Sequence, residues 1–175
     1  MSKIVVSDAG PLLALAKLDT IELLNKLYGV VHTCPTVFDE TVTDGLAPNA
    51  PDALLLQEYF NRTVLVTETV QSPSELQEFL KIHAGERESI QLAIQLNADE
   101  FLVDDSRARQ VAEKNLSAAR LGTIVRGTLG IIFLGFQNNH LSRDHTIQLL
   151  ESIKNRRDIW IRADLCDQIL RLIRS

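Results

Sequence analysis

The chain has 175 residues, 45% hydrophobic and 23% charged, with a net charge of −5, which describes one globular domain with enough chain to bury a core. The negative balance disfavours tight nonspecific nucleic-acid binding, and an aromatic content of 5% excludes an obvious base-stacking platform for single strands. Two cysteines, Cys34 and Cys166, without metal-ligand spacing exclude a disulfide framework and point to a reducing, cytoplasmic setting.

The apolar run after Lys3 is broken by Asp8, so no signal peptide is expected. The longest apolar stretch, Ile131 to Phe136, is far too short to span a bilayer, and no membrane partner is expected. Charge is distributed unevenly. Residues 1–60 carry three Lys/Arg against eight Asp/Glu, whereas residues 143–175 carry seven against five. Arg156, Arg157, Arg162, Arg171 and Arg174 make the tail a candidate positive surface, or a solvated helix face.

In chain order, residues 3–7 read as a buried strand. Residues 11–27 read as one helix with Leu12, Leu13, Leu15, Leu18, Ile21, Leu24 and Leu27 on its apolar face and Pro11 in its first turn. Gly29 is a stop signal, and Val30-Val31 a second short strand. A short helix follows Pro35. Pro48 and Pro51 bracket a loop, and 52–61 is helical. Val64-Leu65-Val66 is a third strand, and Ser72 to Ile82 a helix leading to Gly85. A helix over about 86–97 precedes a fourth strand, Phe101-Leu102-Val103. A helix through Ala112 precedes a fifth strand, Thr123-Ile124-Val125, and helices dominate to the end. Strands alternating with helices indicate an α/β fold with a central, mostly parallel sheet of four to five strands flanked by helices in three layers.

Five acids carry the functional expectation. Asp8 ends the first strand and Asp104 the fourth, so two parallel strands would place both at the carboxyl edge of the sheet, where open α/β folds hold their sites. Glu86 lies four residues before Ile90 and shares its inward face with Ala93 and Ile94, while Glu88, Gln91 and Gln95 fall on the polar face. Glu40 shares a side with Val37, and Asp39 faces out. Each has a plainer role open to it: Asp8 as a helix cap, Glu86 as a first-turn acid complementing the dipole, Glu40 as a surface acid. Of the pair Asp104-Asp105, one caps the next helix and the other points into the site; Asp104 directly extends the strand. Crowded carboxylates resist ionising unless a positive partner joins them, and Mg²⁺ or Mn²⁺ is the simplest. Arg107, Arg109 and Arg126 can reach a phosphate or serve in surface ion pairs. His32, His83, His140 and His145 have no ligand spacing, and neither a nucleophile elbow nor a Walker loop is present.

Five segments, taken together, resemble PIN-domain nucleases, most closely a PIN-like subgroup of uncharacterised prokaryotic proteins. They are Val6-Ser7-Asp8-Ala9-Gly10-Pro11-Leu12, Pro35-Thr36-Val37-Phe38-Asp39-Glu40, Gly85-Glu86-Arg87-Glu88-Ser89-Ile90, Asp104-Asp105-Ser106-Arg107-Ala108-Arg109 and Gly127-Thr128-Leu129-Gly130-Ile131. The likeness spans roughly residues 3–135. The expected organisation is a PIN-like nuclease domain over 1–140 and a C-terminal helical extension over 141–175 packed on it.

The resemblance implies a Mg²⁺- or Mn²⁺-dependent endoribonuclease that leaves a 5′-phosphate and a 3′-hydroxyl. Asp8, Glu40, Glu86 and Asp104 would be catalytic, and Asp8, Glu86 and Asp104 or Asp105 would hold the metal. Glu40 would orient a water, and Arg107 and Arg109 would grip RNA. It further implies a toxin of the VapC type with an antitoxin partner, acting as a homodimer. One departure matters. The Asp-Thr-Asn start common in such toxins is Asp8-Ala9-Gly10 here, which removes a hydroxyl and an amide near the expected metal. An inactive PIN-like module that acts by binding a protein or nucleic acid is the competing reading. A phospho-acceptor domain fits poorly, because Val64-Leu65-Val66 leads to Thr67-Glu68 rather than Asp and no lysine follows Thr123-Ile124-Val125.

Overall fold

The computed structural model describes residues 3–46, 50–71 and 77–174. Strands β1 (Val5–Ser7), β2 (Val31–Thr33), β3 (Leu65–Thr67), β4 (Glu100–Leu102) and β5 (Ile124–Arg126) form one sheet in the order β3-β2-β1-β4-β5. Every pairing is parallel, with Val6 opposite both His32 and Phe101, and Leu102 opposite Arg126. β1 and β4 are buried throughout, as central strands covered on both faces must be. The chain winds one way from β1 through β2 to β3, then crosses to β4 and winds the other way to β5. The β1/β4 junction is therefore the switch point at which ligands of such sheets are held.

Around the sheet stand α1 (Ala9–Lys17), α2 (Glu22–Tyr28), α3 (Pro35–Phe38), α4 (Asp44–Leu46), α5 (Pro51–Asn61), α6 (Ala84–Gln95), α7 (Ser106–Ala118), α8 (Thr128–Gln137), α9 (Arg143–Asn155) and α10 (Ala163–Arg174). A π-helical turn, Asp39–Thr43, joins α3 to α4. One core cluster runs from Val5 in β1 through Ile90, Phe101 and Ile131 to Leu170 and Ile173 in α10. Cys166, Leu170 and Ile173 recur at helical spacing and bury α10 along one stripe, so the C-terminal helices share that core.

Several expected elements shift. The single helix over 11–27 is two, α1 and α2. Asp19 takes a left-handed conformation (φ 53°), and the Thr20 amide turns back to the Leu15 carbonyl. Gly29 does end α2, at φ 76°. The expected helix over 72–82 falls partly outside the described residues, and what is described is a 3-10 turn, Gln77–Lys81. Gln91, placed on the polar face of its helix, is buried at 8% exposure in a helix that packs against α3, α7 and β1. No described helix is long and apolar enough to cross a membrane.

Candidate functional site: an acidic edge built on helix N-termini

Four helices begin at the carboxyl edge of the sheet, and an acid sits at the start of each. Helix N-termini expose unpaired amides and partial positive charge, so each supports a carboxylate. Asp8 is the N-cap of α1, accepting from the Gly10 amide at 3.5 Å, while its own amide ties β1 to the Leu102 carbonyl of β4. Glu86 accepts from the His83 amide at 2.8 Å at the start of α6. Asp105 is the N-cap of α7, with Oδ1 accepting from Arg107 and Ala108 at 2.8 Å each. Asp104 reaches across to α8, where Oδ1 accepts from the Thr128 amide at 2.7 Å and Oδ2 from the Thr128 hydroxyl at 2.6 Å.

Of the pair Asp104-Asp105, the second is therefore the one that caps α7. Asp105 is the exposed cap, and Asp104, half-buried, turns inward.

Asp8 differs from the other three. It is 6% exposed, and its Oδ1 is buried with no hydrogen-bond partner. Burial pushes the carboxyl up to about 7 despite the Ala9 and Gly10 amides, and the charges of Glu86 and Glu40 add to the rise. Glu40 is exposed as a residue, yet its carboxylate lies against Gly85, where a Cβ would meet Oε2 at 2.8 Å. This partial burial, followed by the Glu86 charge, raises the Glu40 carboxyl. Asp104 is raised chiefly by burial, against the pull of Thr128 and Arg109. The space beside Gly10 opens to two of the acids: a Cβ there would lie 3.7 Å from Asp104 Oδ2 and 3.8 Å from Asp8 Oδ2. Asp8 therefore feels the charges of Glu86 and Glu40 and shares the space beside Gly10 with Asp104. Among the described residues, however, no three His, Cys, Asp or Glu side chains converge closely enough to hold a metal ion.

The arginines sit as follows. Arg107 is exposed, with a 3.4 Å bond to the Lys81 carbonyl. Arg109 donates to the Val103 and Val125 carbonyls at 3.0 Å each, tying the ends of β4 and β5 together beside Asp104. Arg126 pairs with Glu100 at 2.9 Å.

Two residues went unread in the sequence. Glu100 is 1% exposed and accepts from Lys3, Tyr28 and Arg126. Burial pushes its carboxyl up, but the bonds from Arg126 and Lys3 prevail and hold it below the ordinary glutamate range. Its only signal was an acid directly before an apolar strand, which means little until β5 is known to lie alongside. Thr128 was quoted within a motif but assigned no role. Its position at the first turn of a helix facing Asp104 is a tertiary fact.

A parallel α/β domain with an acidic edge at its topological switch point defines the class. A family model described as PIN domain matches residues 4–175, and the chain belongs to the PIN-domain family. The match runs through α9 and α10 as well as the sheet. No curated protein matches this chain, and no solved structure does.

Proposed function

We propose that this chain is a PIN-domain module that works by binding partners, RNA first among them, rather than by cation-dependent hydrolysis. The observation that carries this reading is the engagement of the acids. Glu86, Asp104 and Asp105 each satisfy a helix N-terminus, so they have structural partners without a cation. The Ala9-Gly10 sequence after Asp8 supplies no further side-chain ligand.

Hydrolysis is the second reading, and one observation favours it specifically. Asp8 Oδ1 is a buried, unpartnered carboxylate oxygen beside two other acids, which is costly above its pKa unless a cation meets it. Hard oxygen donors of this kind fit Mg²⁺ or Mn²⁺ in chemistry. Asp8, Glu86 and Asp104 would hold the ion, and would have to draw closer to do so, because among the described residues no three acids converge on one point. A bound ion would supply positive charge opposite a scissile phosphate and acidify a water. Glu40, its carboxyl raised, would take or hold a proton at Oε1 or Oε2. On this reading the chain is an endoribonuclease. A toxin role, an antitoxin partner and a homodimer rest on the resemblance alone.

One experiment separates the two readings. Purified protein is incubated with a mixed RNA pool in Mn²⁺, Mg²⁺ or EDTA, beside a folded Asp8→Asn/Asp104→Asn double variant, and RNA binding is read in EDTA. Binding by both proteins without cleavage supports the module. Cation-dependent cleavage lost in the variant establishes the nuclease. Neither binding nor cleavage overturns both.

A further inference from the structure

A cleft of about 680 Å³ adjoins the acidic edge at Asp104 and Asp105 and extends away from Asp8, Glu40 and Glu86, which do not line it. One wall is the β5–α8 junction with Arg126 and Gly127. The other is the α9–α10 connection with Trp160 and Arg162, and Asp104 and Arg109 stand at the inner end. Trp160 is the only tryptophan of the chain and is 93% exposed, while its neighbour Ile159 is buried and anchors the connection. A fully exposed indole on a cleft wall presents a π-face with nothing packed on it. Arg162 is exposed, and its ion pair with Asp164 lies in solvent, where such a pair is weak and readily exchanged for another anion. Gly127 removes side-chain bulk where the cleft meets the site: a Cβ there would meet Asp104 Oδ1 at 2.9 Å.

We infer that this cleft is a subsite for one nucleotide of single-stranded RNA, its base stacked on Trp160 and its phosphate met by Arg162. The inference rests on the RNA reading above and deepens it. Of the three arginines that line the cleft, Arg109 is held by the Val103 and Val125 carbonyls and Arg126 by Glu100, which leaves Arg162 to meet a phosphate; the acids of the lining, Asp104 and Asp105, belong to the β4–α7 junction. Stacking selects an unpaired base, because a duplex keeps its π-faces covered. This locates on one exposed residue a stacking function that the low aromatic content argues against for the chain as a whole.

The test uses the full chain in EDTA with a short labelled oligouridylate and a duplex control. Label anisotropy reads binding anywhere on the protein, and tryptophan emission reads Trp160 alone. The expected result is a rise in anisotropy with quenched emission for the single strand, little quenching by the duplex, and affinity weaker by on the order of tenfold in Trp160→Ala. Arg162→Ala should bind more weakly with a flatter salt dependence. Both side chains are exposed, so the variants fold. Binding without quenching, equal in Trp160→Ala, overturns the subsite and leaves the RNA reading standing. Equal quenching by the duplex overturns the single-strand assignment. No anisotropy change with any RNA overturns the RNA reading itself and leaves the cleft to a protein partner.

Discussion

Replacing Asp8 by Asn should stabilise this protein in the absence of divalent cation, and the gain should depend on pH. Burial raises the Asp8 carboxyl from 3.8 to about 7. The folded chain therefore holds a proton that the unfolded chain releases. The stability this represents is complete below about 3.8 and is lost as the pH rises through about 7. The rise corresponds to about 4 kcal/mol at 1.36 kcal/mol per pKa unit. Asparagine keeps the shape and the N-cap acceptor, is neutral at every pH, and offers its amide to the acids that repel Asp8. At pH 8 in EDTA the variant should exceed wild type by several kcal/mol, on the order of 10 °C in Tm. At pH 4.5, where wild-type Asp8 is protonated in the fold and the unfolded chain has only begun to gain from ionising, the difference should fall to about 1 kcal/mol. Urea unfolding at the two pH values, with a thermal scan at each, measures this. An Asp8→Asn protein no more stable than wild type at pH 8, or a gain that persists unchanged at pH 4.5, would refute the reasoning. Added Mn²⁺ extends the test: under the hydrolytic reading it raises wild type and leaves the variant where it was.

Three further outcomes follow from individual contacts. Glu100→Gln removes the charge that Lys3 and Arg126 share at 2.9 Å each from a side chain 1% exposed, and should cost about 3 kcal/mol in urea unfolding; a cost under half of that would mean solvent reaches the pair. Thr128→Val deletes the 2.6 Å hydroxyl bond to Asp104 but keeps the amide bond, and should cost about 2 kcal/mol while raising the Asp104 pKa, which carbon-detected NMR titration can follow. Asp105→Ala removes the α7 cap, so a cost of about 1 kcal/mol is expected in urea unfolding; an unchanged stability would mean that the Arg107 and Ala108 amides find water as good a partner.

The order of strands and helices was legible in the sequence because buried parallel strands are short apolar runs. Ile4-Val5-Val6 and Phe101-Leu102-Val103 can serve little other purpose. The placement of Asp8 and Asp104 at strand ends followed at once, and with it the edge on which they meet. Helix ends were less legible. α1, α5, α6, α7 and α8 stop at left-handed residues that are not glycine, namely Asp19, Thr63, Asn97, Arg120 and Asn139. A reading that looks to Gly for such stops finds Gly29 and misses the break after Lys17.

What only the tertiary structure decided is the partner of each acid. A carboxylate is defined chemically by what surrounds it, and those surroundings come from distant segments. Asp104 meets Thr128 across 24 residues, and Glu100 meets Lys3 across 97. Asp8 meets Glu86 and Glu40 from two other elements. Spacing along the chain therefore placed the acids at one edge. Only the packing determined which helix start each acid serves, that one oxygen of Asp8 is buried without a partner, and that an exposed tryptophan from the C-terminal connection lines a cleft with Asp104.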